Sequence, residues 1–256
     1  MSRRASAPGV WPGILSLLAL LLVWAVAAQL TDRPQTLPAP WDVAARIAHL
    51  ATGGELWFHT GMTLMRVGLS FALAMAIGLA LGLIMGRSAR ADAWLNPATL
   101  ILLNLPALVV IVLCYIWIGL NETAAIIAVA LNKIPVVTVM IREGARALRP
   151  DLDEMARAFR MTPAARLRHV VLPQLAPQIA AAARAGISLI WKIVLVVEFL
   201  GRSNGVGFKI HLLFSSFDVA GVLAWALAFV AVMLAIDLFL LRPWERRANR
   251  WRQDAA

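Results

Sequence analysis

The residues able to do chemistry lie in two settings. One is a polar stretch, 149–177, rich in arginine and bounded by apolar runs. Within it Asp151, with Glu154 three residues on, fits a capping-box start in which the carboxylate accepts free N–H groups of a first helical turn. Met155, Ala156 and Phe159 give that helix an apolar side over about two turns. Thr162 followed by Pro163 is a second start signal, a hydroxyl N-cap with proline at the first helical position. Leu167, Val170 and Val171 continue the second helix, and Pro173, after Leu172, ends it. Two short helices joined by a tight turn and flanked by arginines have the form of a docking element. The competing reading is an arginine-rich loop resting on anionic lipid headgroups.

The other setting is inside apolar runs, where an ionisable side chain is costly and marks function by default. Lys133 stands beside Asn132 and just before Pro135; Trp191, Lys192 and Glu198 follow in a later run. Two lysines facing a pathway suit an anionic solute, with Trp191 and Glu198 as further pathway candidates. Alternatively the lysines neutralise Glu198 or Asp237, or snorkel to an interface, as Arg66 and Arg184 are expected to do. A catalytic or metal-ligating set is not legible. His49, His59, His169 and His211 fall in four separate regions, and the lone Cys114 builds neither a disulfide nor a cysteine metal site. No phosphate-binding loop is present, so this chain is not itself an ATPase, and no enzyme activity is expected of it.

These residues are carried by a membrane chain. Of 256 residues 61% are hydrophobic, against ~45–50% in soluble domains, and the mean hydropathy is +0.77. The net charge of +10 sits in the gaps between apolar runs, which makes it topological and argues against nucleic-acid binding. Six runs reach spanning length, at about 11–30, 60–85, 97–118, 123–141, 177–197 and 219–241. The first resembles a signal peptide, with Ala25, Ala27 and Ala28 near a possible cleavage point, but its roughly 20 residues favour a retained anchor. Without polar–apolar alternation a membrane barrel is excluded, so the expected fold is all-helical.

Sixteen arginines collect on one side: Arg3, Arg4, Arg87, Arg90, Arg142, Arg146, Arg149, Arg157, Arg160, Arg166, Arg168, Arg242, Arg246, Arg247, Arg250 and Arg252. Only Arg33, Arg46, Arg202 and Lys209 fall on the other, so both termini and the 149–177 stretch are expected in the cytoplasm. Gly78, Gly82 and Gly86, with Ala72, Ala76 and Ala80 beside them, form small-residue stripes for close helix packing. Expected boundaries are a cytoplasmic N-terminus at 1–10, a transmembrane domain at 11–241 that includes a cytoplasmic loop at 142–176, and a cytoplasmic tail at 242–256.

The loop sequence EMARAFRMTPAARLRHVVLPQLAPQI resembles the cytoplasmic loop of ABC importer permeases, whose pattern is Glu-Ala-Ala, a glycine, then Ile-x-Leu-Pro. Glu154, Ala156, Val170, Leu172 and Pro173 match in kind and spacing, and Arg160 stands where the family has glycine. Stretches LNLPALVVIVLCYIWIG and IWKIVLVVEFLGRSNGVGFKI, and the tail LLRPWERRANRW, are similar to the nitrate/sulfonate/taurine-type permeases of bacterial inner membranes, from about Leu56 to Trp251. The resemblance implies a type I importer permease, a homodimer in the lipid bilayer, served by an external solute-binding protein and by a cytoplasmic ATPase that holds ATP and magnesium. It assigns 151–173 to coupling with that ATPase and a small anion to the pathway. An ion-coupled secondary transporter using Lys133, Glu198 or Asp237 is the alternative.

Overall fold

A computed structural model describes residues 10–31 and 33–241. The segments 1–9 and 242–256, with their terminal arginines and most of the tail motif, lie outside the described residues. The helices are α1 (Val10–Thr31), α2 (Pro40–Thr52), α3 (Glu55–Arg87), α4 (Ala89–Asn104), α5 (Ala107–Ile118), α6 (Glu122–Arg146), α7 (Pro150–Ala158), α8 (Pro163–Arg166), α9 (Leu172–Gly201), α10 (Val206–Ser215) and α11 (Val219–Ile236). Thr162, expected to start a helix, does so, and three further side chains cap in the same way. Ser88, Asn121, Thr162 and Asp218 accept the N–H groups of Ala91, Ala124, Ala165 and Gly221.

Among the described residues five helices are long and apolar enough to cross a membrane, and α4 and α5 reach that length only as a pair bent by 101°, a broken span or a re-entrant loop. The expected straight third span is therefore broken. Pro106 forces Leu105 out of the helical region, to φ −70° and ψ 130°, so the chain turns there. The second loop helix differs in the opposite sense. Pro173 does not end it: helix continues from Pro163 to Gly201 through a π-helical turn, Leu167–Val171. Proline lacks an N–H and its ring crowds the carbonyl four residues back, and the wider turn absorbs both, with Leu172 N–H reaching back to Leu167 O.

At the centre α3 packs along α6. An added Cβ at Gly78, Gly82 or Gly86 would stand 2.6, 2.7 and 2.5 Å from the Cβ atoms of Val137, Ile141 and Ala145. Two matched four-residue repeats therefore let the backbones meet, which in lipid is a main source of helix association. The neighbouring Ala72, Ala76 and Ala80 face outward and do not take part. Around this pair, Val110, Ile111 and Cys114 of α5 and Ile190, Val194 and Val197 of α9 close one core. Leu56, Val206, Trp225 and Phe229 join the ends of α3 and α10 to α11 in another. Helix α1 stays almost wholly exposed, tied by the Trp24 indole N–H to Pro38 O at 3.0 Å.

Replacing Gly82 by leucine sets a side chain against Thr138 O, 2.7 Å from the new Cβ, where only backbone movement can relieve it. The loss is expected to be about 1–3 kcal/mol, read as a lower melting midpoint in detergent. Gly61→Ala, with nothing within 4 Å, should hold or raise it.

Candidate functional site

Two polar constructions stand at opposite ends of the bundle. At the end away from α7 and α8, helix α3 presents His59, Thr63 and Arg66 on one face, spaced four and three residues apart. Arg66 is 1% exposed and Glu198, at the end of α9, 0%. Arg66 Nη1 donates to Glu198 Oε1 at 2.6 Å and to Asn204 O at 2.9 Å. Its Nε and Nη2 take the Glu122 carboxylate at 2.8 and 2.6 Å, and Nη2 also donates to the Asn204 side-chain oxygen. All five guanidinium N–H groups are thus used. Arg202 closes the set, giving one bond to Glu122 at 2.5 Å and another to Leu120 O at 3.1 Å. Two arginines balance two glutamates, which is what makes so many buried ions tolerable.

The cluster fastens the turn between α9 and α10. Glu198 Oε2 accepts the Gly207 N–H and the Thr63 hydroxyl, both at 2.9 Å. Val206 N–H donates to Thr63 Oγ1 at 2.9 Å, and Gly205 N–H to His59 Nδ1 at 3.0 Å. His59 is held between Phe58, Phe208 and Trp225. Gly205 is required twice over: its φ is +108°, and a Cβ there would fall on the Glu198 carboxylate. This arrangement binds loop to bundle and leaves no proton donor or nucleophile free. Among the described residues no group of His, Cys, Asp and Glu could hold a metal ion.

At the other end the loop hangs on Asp153. Its carboxylate pairs with Arg166 of α8, with Arg87 at the end of α3 at 3.2 Å, and with Arg157 one turn on at 3.6 Å. Arg166, then the other two guanidiniums, holds that carboxyl below the usual carboxylate range. The expected capping box is absent. Pro150 takes the first helical position behind Arg149, and Asp151 pairs with the Arg149 guanidinium at 2.5 Å. Helix α7 closes in a Schellman motif, with Met161 N–H on Ala156 O at 3.0 Å and Arg160 N–H on Arg157 O at 2.9 Å. That motif places its left-handed residue at Arg160, φ +48°, the position of the family's glycine. The turn is kept, and Arg160 bears the strain with Thr162 and Pro163 starting the next helix behind it. Ala156 is buried, while Glu154, Met155 and Phe159 face outward, Phe159 at 78% exposure.

The expected pathway residues do not converge. Lys133 is 1% exposed, and its Nζ has no hydrogen-bond partner. Lys192 is exposed, 5.6 Å over the Trp191 ring, and Trp191 packs on Phe229. Neither lysine neutralises Glu198, which belongs to Arg66. Arg66 does not snorkel as expected; the buried carboxylates claim it. Asp153, Arg87 and the His59–Thr63–Arg66 face were missed, although a polar residue every turn in an apolar run was a readable signal for the last.

The family model of binding-protein-dependent transport system inner membrane components matches residues 74–242. The putative aliphatic sulfonates transport permease protein SsuC of Bacillus subtilis is 29% identical over 96% of this chain and 89% of its own. The protein of the same name from Escherichia coli is 32% identical over 74% of this chain and 72% of its own. In structure the chain is similar to one from a bacterial ABC transporter involved in import of the acidic polysaccharide alginate, with a TM-score of 0.66, 15% identity, and coverage of 93% of this chain and 96% of that one.

The two ends should respond differently to mutation. Arg66→Met strands buried carboxylates and should cost about 3–5 kcal/mol, whereas Arg87→Ala, at a partly exposed pair, should cost about 1 kcal/mol or less. Detergent melts compare them. Because the Asp153 carboxyl is lowered in the folded loop, its contribution is present above the ordinary carboxylate range and lost only as pH falls through the lowered value. Amide exchange in α7 and α8 should stay slow until that acid limit, and should already be fast at neutral pH in Asp153→Asn.

Proposed function

Since the chain belongs to the family of binding-protein-dependent transport system inner membrane components and is an ABC importer permease subunit, we propose that it forms half of a pathway for a small anionic solute and is driven by an ATPase docked on α7. The docking face is the observation that carries this reading. A solvated aromatic at 78% exposure, with Met155 one turn before it, is an unusual surface for a helix that buries little else. Asp153 fixes the angle at which that face projects, and Glu154 and Arg160 border it with both signs of charge. A partner with an apolar groove and a charged rim fits it.

In this reading α7 and α8 lie in the cytoplasm, with both termini, and the Asn204–Gly207 turn faces the side from which a solute-binding protein delivers. A second copy of the chain completes the pathway, and ATP and magnesium are held by the ATPase. Lys133 and Glu198 are the chain's own contributions to the pathway, Glu198 by closing its outer end through Arg66, while Lys192, exposed over Trp191, stands apart from them. Two observations support a sulfonate-type solute: the relatives whose names carry aliphatic sulfonates, and the cationic side chains of the fourth and fifth spans. With Glu198 saturated by fixed donors, the ion-coupled alternative loses its most buried carboxylate.

Phe159→Ala should weaken capture of the co-expressed ATPase by about thirtyfold, an effect on the order of 2 kcal/mol. Glu154→Lys should reduce capture and uptake together, with the permease melt unchanged in both. Full capture and uptake in both variants would end the docking assignment.

A further inference from the structure

Lys133 lies near the middle of α6, where α3 and α9 close over it. Its aliphatic stem rests against Gly186 of α9: a Cβ added there would be 3.1 Å from Lys133 Cε and 3.3 Å from the Phe71 ring of α3. The three residues stand near the midpoints of their helices, so the amine is at the depth where hydrocarbon is driest. Nζ is enclosed and has no acceptor. None of the neighbouring polar side chains turns to it. The Asn132 amide donates to Ala128 O, the Thr138 hydroxyl to Ile134 O, and Glu198 accepts from Arg66, Thr63 and Gly207.

A lysine amine held this way without an acceptor is unfavourable, yet it is packed among three helices at their midpoints. Glycine in mid-helix is a poor choice for α9 on propensity alone. What Gly186 supplies is room beside Lys133 and Phe71. Missing from this pocket is an acceptor with negative charge. We propose that Lys133 is the transit site for the anionic group of the solute, a sulfonate or similar oxyanion that bonds Nζ while the alkyl part lies along Phe71. The proposal rests on the importer reading and gives its pathway one residue of specificity. Lys192, exposed over Trp191, has no part in it.

The test uses the permease–ATPase complex in lipid nanodiscs with ethanesulfonate as probe and choline as control. Ethanesulfonate should raise the melting midpoint of the wild type and of Lys192→Met, and choline should not. Lys133→Met, which removes an unpaired buried charge, should melt higher without ligand yet lose the ethanesulfonate response. Its uptake KM should rise by about tenfold or more, the loss of one charge-assisted hydrogen bond. Lys133→Arg, which keeps the charge, should retain part of the response. An unchanged response in Lys133→Met, an equal shift by choline, or no shift in the wild type overturns the site. Failure of the ATPase to co-purify with the wild type instead overturns the importer reading beneath it.

Discussion

Arg66 has five N–H groups and no water, and the geometry of one end of the bundle follows from satisfying them. Glu198 from α9, Glu122 from the start of α6 and Asn204 from the turn between α9 and α10 are drawn to one guanidinium. Each alone would be an expensive burial in an apolar setting; together with Arg202 they balance in charge, and every N–H of Arg66 is satisfied. Three helices therefore share one origin. The glycines at 205 and 207 follow as a second-order requirement, because a Cβ at the first would fall on the Glu198 carboxylate and one at the second on Leu195 O.

Helix α3 joins this origin to everything else. The same helix carries His59, Thr63 and Arg66 at one end, the glycine stripe against α6 along its length, and Arg87 against Asp153 at the other. Its 33 residues exceed what a bilayer demands, and the surplus reaches both polar constructions. The close backbone contact with α6 makes the pair stiff, since neither helix can rotate without driving Val137 or Ile141 into the other's main chain. A displacement of α7 thus reaches α3 through Arg87 with little slack in between.

Apolar run lengths made five crossings legible, and the hydroxyl cap at Thr162 fixed one start, because both signals are local. The break at Leu105–Pro106 was also local, but hydropathy hid it inside a continuous apolar run. Pro173 misled for a related reason: a proline stops a regular helix, and the π turn that admits one has no composition of its own. The ion network was out of reach for another cause. Arg66 and Glu198 are 132 residues apart, and only the packed fold decides that an arginine near a span's end turns inward. Asp153 lost to Glu154 in the reading because both are acidic neighbours on one helix, and which of them faces Arg87 depends on where α3 ends. For the loop, resemblance to importer permeases carried more than spacing did. It marked Arg160 as the odd residue, and the Schellman geometry explains why a glycine belongs there.

Arg160 also sets an order of events. A long side chain in the left-handed region does not choose that state unaided, so an isolated peptide of α7 and α8 would fall open at this residue. The hairpin gains its tie to the bundle through Arg87 only when α3 is threaded and packed. The projecting Phe159 surface is accordingly a late product of assembly. A nascent or misassembled chain would present no such surface, and in the finished bundle that surface rests on a strained residue at its crest.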